Sequence, residues 1–160
     1  MAPNGCIDAY ILPTKFLREM AEAARAKGYE YIAITDHSQS LGVARGLTPD
    51  RLKAQIEEIR ALNEQWDDFR ILAGAEVDIL PDGTLDFHDD VLRELDIVIA
   101  SVHSAMNQDE QTMTDRIIAA MHNPYVDIVA HPTGRVLGRR DPYAVDIERV
   151  IAAARDTGTC

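Results

Sequence analysis

Four side chains able to bind a metal ion each follow a short apolar run. His37 follows Ile34-Thr35-Asp36, Glu76 follows Gly74-Ala75, His103 follows Ala100-Ser101-Val102, and His131 follows Val129-Ala130. Imidazole and carboxylate together suit zinc, manganese or iron, and a carboxylate can bridge two ions. One such histidine reads most simply as a hydrogen-bonded rim residue. Four ligand types at the same place in successive units point instead to chemistry assembled at strand ends, where parallel α/β folds build their sites. Glu76, His103 and His131 form a nitrogen-rich candidate catalytic and metal site, and His37 is a fourth candidate ligand. Pro132 stops the strand directly after His131.

Asp36 and Asp78 flank these ligands, and each reads equally as a carboxylate that orients an imidazole or as a solvated loop residue. His88 and His122 lie in turn or helical contexts and read as surface residues. The stretch Gly134-Arg135-Val136-Leu137-Gly138-Arg139-Arg140 follows His131 closely. Forked donors from Arg135, Arg139 and Arg140 beside a metal site suit a phosphate. The chain contains no glycine-rich nucleotide loop, nucleophile elbow or His-Glu-x-x-His helix.

Something must hold these residues in place. Apolar, β-branched runs at Tyr31 to Thr35, Ile71 to Val77, Ile97 to Val102 and Val126 to Ala130 predict four strands. None alternates strictly, as expected of strands buried on both faces. Helical stripes lie between them: Leu17, Met20, Ala21 and Ala24, closed by Gly28; Leu52, Ile56, Ile59 and Leu62, opened by Thr48-Pro49; Met113, Ile117, Ala120 and Met121; and Ile147, Val150, Ile151 and Ala154. Strand–helix alternation implies right-handed βαβ crossovers and a parallel sheet or barrel. A turn is expected at Pro81-Asp82-Gly83. A full parallel barrel takes roughly 200 residues or more, so this chain reads as a partial one.

The 160 residues, 46% hydrophobic and 27% charged, fit one domain with a sizeable core. A formal net charge of −11 argues against a simple basic nucleic-acid surface. It leaves a phosphate substrate open, since bound cations reverse the local field. The apolar runs are too short to span a membrane and no signal peptide is evident. Cys6 and Cys160 match no zinc or redox spacing, so a reduced, cytoplasmic protein is expected.

The motifs Tyr31-Ile32-Ala33-Ile34-Thr35-Asp36-His37-Ser38, Gly74-Ala75-Glu76-Val77-Asp78-Ile79, Ala100-Ser101-Val102-His103-Ser104 and Ala130-His131-Pro132-Thr133-Gly134-Arg135 resemble successive motifs of PHP (polymerase and histidinol phosphatase) domains. The Leu80-Pro81-Asp82-Gly83 turn and the stretch from His131 to Tyr143 are most similar to the C-terminal PHP domain of bacterial family X DNA polymerases. The resemblance implies an α/β fold: a truncated, distorted seven-stranded βα barrel of PHP type with outer helices. It implies up to three divalent metals, manganese, zinc or iron, with Glu76 bridging, His103 and His131 on one ion and His37 on another. It also implies phosphoester hydrolysis at a DNA 3′ end, as a 3′-5′ exonuclease, with a polymerase domain upstream in the parent protein. The alternatives are a stand-alone phosphatase of the histidinol-phosphatase type and a non-catalytic PHP module with a structural role.

The resemblance also locates departures. The family's opening His-x-His falls on Gly5 and Ile7, flanking Cys6, and Leu12 stands near a further ligand position. The late Asp-x-His motif would lie beyond Cys160. Residues 1–15 are thus expected to be an atypical segment and residues 16–160 an incomplete PHP domain. One metal site keeps its ligands, and the chain is expected to be weakly active or inactive.

Overall fold

Apolar strand sequences and amphipathic helices alternate along the chain, and a computed structural model, which describes residues 14–160, arranges them as βα units. The positions Gly5, Cys6, Ile7 and Leu12 lie outside the described residues. The strands are β1 (Tyr31–His37), β2 (Arg70–Asp78), β3 (Ile97–Ser101) and β4 (Ile128–Val129). They form one parallel sheet in chain order. The helices are α1 (Thr14–Ala26), α2 (Pro49–Asn63), α3 (Asp89–Leu92), α4 (Glu110–Met121) and α5 (Ile147–Thr157). This is the expected partial βα barrel.

The register divides the sheet into two unlike faces. Ile34, Ala73, Val98 and their neighbours Ile71, Ala75, Val77 and Ala100 share one face and are buried with the helices. Ala33, Leu72, Ile97, Ile99 and Ile128 share the other face and are exposed or half-buried. Burial on both faces, expected from the unbroken apolar runs, therefore holds for β2, where residues 73–78 are all buried, while the second face of β1, β3 and β4 stays partly open. The four predicted strands are present, but β4 is two residues long. Asp127, just before it, accepts from Val98 N at 2.8 Å. Asp96, just before β3, does the same for Ala73 N at 2.9 Å. Each unit thus braces the start of the strand before it.

Helix packing follows the stripes with one exception. All four predicted apolar positions of α2 and of α4 are buried. Leu17 and Ala21 of α1 are buried, and Gly28 takes a left-handed φ of +81° just after its end. Thr48 is extended before Pro49 but its side chain makes no capping bond. In α5, Val150 is buried while Ile151 is 63% exposed. Ile151 thus sits at the edge of a stripe too narrow to cover it. The expected turn is present: Gly83 N donates to Leu80 O at 2.8 Å, and Gly83 has a φ of +88°.

The loop after β1 packs back on the strand end. Leu47 N donates to His37 O at 2.8 Å, and Ser38 bridges to Leu47. This approach requires glycine at position 46, because a Cβ there would lie 1.8 Å from Ser38 O. Gly46→Ala must displace backbone beside the candidate site, and a loss of about 1–3 kcal/mol is expected. Urea unfolding measures it; an unchanged midpoint would show that the loop is not held against Ser38.

Candidate metal centre

Parallel pairing sets His37 of β1 directly beside Glu76 of β2 and Asp78 beside Ser101 of β3. Side chains alternate across a strand, so His103, two residues beyond Ser101, returns to the same face. His131 does not follow this rule. Ile128 shares a face with Ile99 and Glu76, so a continued strand would turn residue 131 toward the helices. Instead His131 takes a φ of +34°. That left-handed turn, costing about 1–2 kcal/mol for an L-residue, brings its ring back over Glu76.

All four predicted ligands converge. Glu76 Oε1 lies 3.3 Å from His103 Nε2 and 3.1 Å from His131 Nε2, while Oε2 lies 3.8 Å from His37 Nδ1. The His103 ring is 5.0 Å from His37 and 5.1 Å from His131, centre to centre. The sequence reading grouped Glu76 with His103 and His131 and set His37 apart. Among the described residues, His37 joins Glu76 and His103 in a group whose donor atoms lie within 4.8 Å of one another. Glu76 is 4% exposed, whereas the His131 side chain is 43% exposed.

Asp78, left open by the sequence, is buried and orients an imidazole: its Oδ1 is 2.5 Å from His103 Nδ1. This engages Nδ1 and leaves Nε2 facing Glu76. Ser101 Oγ lies 3.2 Å from the same Nδ1. Asp36 is buried on the opposite face, where Gln55 Nε2 of α2 donates to it at 2.5 Å. His88 and His122 are exposed, and His122 Nδ1 bonds Ile118 O at 2.8 Å.

Sequence reading missed the two serines. Ser38 Oγ accepts from Asp78 N at 2.9 Å, and Ser38 N donates to Glu76 O at 3.0 Å. Ser38 thereby ties the end of β1 to the two acidic residues of β2. The available signal was a serine directly after His37 and another two residues before His103.

Charge is balanced within the cluster. Burial pushes the Glu76 carboxyl up, but hydrogen bonds from His103 and His131 outweigh it and hold the group well below the usual carboxylate range. Burial lowers His103, while its bonds to Asp78 and Glu76 raise it further, to about 9.

The donor set fits a divalent cation. Ligands about 2.0–2.1 Å from a tetrahedral ion stand about 3.3–3.4 Å apart, close to the spacing of Glu76 Oε1 from two imidazoles. The buried His37 Nδ1 makes no hydrogen bond among the described residues, as suits an atom reserved for an ion.

The arginine loop continues from His131. Val136 and Arg140 exchange backbone hydrogen bonds at 2.9 Å around Gly138. Arg140 Nε donates to Gly134 O at 2.8 Å, so part of this side chain braces its own loop. Arg135 and Arg139 are exposed and pair with no carboxylate among the described residues.

Comparison with known proteins identifies relatives. The family model described as PHP domain matches residues 14–156. A DNA polymerase/3'-5' exonuclease PolX of Bacillus subtilis (strain 168) is 60% identical over 143 residues, which is 89% of this chain and 25% of that protein. A probable phosphatase of Thermoanaerobacter sp. (strain X514) is 36% identical over 146 residues, and one of Acetivibrio thermocellus 34% over 145. Each match covers 89% of this chain and 55% of the phosphatase. The chain thus spans about a quarter of the polymerase and about half of the phosphatases.

The raised His103 has a consequence for stability. Its folded pKa lies above the ordinary value of 6.5. The protonated imidazole's contribution is therefore whole below about pH 6.5 and is lost as pH rises through about 9. Urea unfolding in chelator should show a decline across that window that flattens in His103→Gln. Parallel curves for the two proteins would contradict the assignment.

Proposed function

The chain belongs to the PHP family, and from that membership we propose that it is the metal-dependent phosphoesterase domain of a family X DNA polymerase, acting on DNA 3′ ends. The observation that carries this reading is the shared Glu76 carboxylate, which faces His103 and His131 through one oxygen and His37 through the other. We assign Glu76, His103 and His131 to one ion and His37 to the side served by Oε2. Manganese, zinc and iron all match these nitrogen and oxygen donors. A divalent cation held there supplies the Lewis acidity that lets phosphoesters hydrolyse near neutral pH.

The protein's own groups do the rest. Asp78 fixes the tautomer and orientation of His103. Glu76 enters the reaction as a carboxylate, since its neighbours hold it ionised. Arg135 and Arg139 offer forked donors to phosphate oxygens and to the charge that gathers on them during reaction, with Arg140 contributing from the loop base. The resemblance of the chain to proteins named as probable phosphatases supports a second reading, hydrolysis of a small phosphomonoester.

Titration with manganese should show one ion per chain, with affinity reduced at least tenfold in Glu76→Gln. A 5′-labelled single-stranded oligonucleotide should shorten slowly from its 3′ end, only with metal, and not at all with Glu76→Gln. Arg135→Ala combined with Arg139→Ala should raise KM roughly tenfold or more, from the loss of charge-assisted hydrogen bonds. Turnover unaffected by chelator would remove the metal reading. Preference for a small phosphomonoester over the oligonucleotide would favour the phosphatase.

A further inference from the structure

Arg116 lies on α4 inside the apolar stripe of Met113, Ile117 and Ala120, and is 3% exposed. Apolar neighbours alone would be served by leucine or methionine, and a buried guanidinium is costly to desolvate. Its terminal nitrogens have specific destinations. One terminal nitrogen donates to Ile79 O. The other donates to Ser104 O at 3.0 Å and to Gln108 Oε1 at 3.0 Å. Ile79 directly follows Asp78, and Ser104 directly follows His103. The guanidinium therefore joins the backbones of the two loops immediately beyond the Asp78–His103 pair. Gln108 extends the tie, because its Nε2 donates to Pro81 O at 3.0 Å.

The loop after β3 needs such a tie. Ala105, one residue past Ser104, has a φ of +49°, unfavourable for an L-residue. No strand pairing continues past Ser101 to hold His103. A planar fork sends donors from separate nitrogens to two carbonyls at once, whereas a lysine's three donors share a single nitrogen.

The geometry points to Arg116 as a positioning residue for the metal centre: it locks the loops after β2 and β3 so that Asp78 holds His103 with Nε2 toward Glu76. It touches no ligand atom itself. The inference rests on the assignment of Glu76 and His103 as ligands, and its test includes a measurement that needs no metal.

Arg116→Met and Arg116→Lys are compared with the parent protein in two experiments. In the metal-free proteins, NMR follows the His103 Nδ1 proton bound to Asp78. A downfield signal is expected in the parent, lost or exchange-broadened in Arg116→Met and weakened in Arg116→Lys. In the second experiment cobalt(II) is titrated and its visible spectrum recorded. Affinity should fall roughly 10–100-fold in Arg116→Met, with an altered band shape and unchanged helical circular dichroism, and should be partly restored in Arg116→Lys. An intact His103 signal together with parental cobalt affinity in a folded variant overturns the inference. Should Arg116→Met not fold, parental behaviour of Arg116→Lys in both experiments overturns it equally. If the parent binds no cobalt, the ligand assignment fails, and the NMR comparison alone decides the role of Arg116.

Discussion

Burying an ionised carboxylate costs several kcal/mol unless its charge is met at close range. Glu76 is buried in the middle of the sheet, so the fold must deliver compensating groups from neighbouring strands. It does so from both sides: β1 contributes His37, the end of β3 contributes His103, and the turn after β4 contributes His131. His103 in turn requires Asp78, which requires the serine hydroxyl at position 38. The left-handed backbone at His131 near the rim can be traced to this one charge. In a PHP domain the same demand that makes Glu76 expensive without partners makes the cluster receptive to a cation.

The four side chains that meet around Glu76 could be singled out in the sequence because each follows an apolar run, and a strand's end can be located from its composition. Parallel pairing followed from the alternation of strands and helices. What escaped was whatever depended on which way a side chain turns. Asp36 and Asp78 both flank a candidate ligand, but Asp36 stands one residue from His37 and Asp78 two from Glu76, so strand parity sends Asp36 to Gln55 and Asp78 to His103. Ile151 lies at a stripe position of α5 but faces solvent. Arg116 carries no signal in the sequence, because its carbonyl partners are 37 and 12 residues away in the chain. The half-open sheet face could not be inferred from runs of Ile, Val and Ala, since such runs describe what a strand can bury and not what covers it.

The division of labour follows from where groups sit. Glu76 and Asp78 lie on strands, fixed by the hydrogen-bond ladder, and are shielded from water. The three arginines lie on a loop around Gly138, whose geometry can change without disturbing the sheet. Relatives named as a polymerase/exonuclease and as probable phosphatases share this framework. Loops of this kind are where substrate choice can diverge on one scaffold.

The pairing of β1 with β2 also bears on folding fidelity. Side chains alternate, so a slip of one residue would exchange the two faces of β1. Asp36 would then stand where His37 does, carboxylate against the buried carboxylate of Glu76, and His37 would be driven among the helices. The misaligned chain would lose an attraction and gain a repulsion beside a buried carboxylate. The Asp36-His37 pair thereby guards the alignment of its own strand, and a chain that has folded out of step cannot assemble the centre.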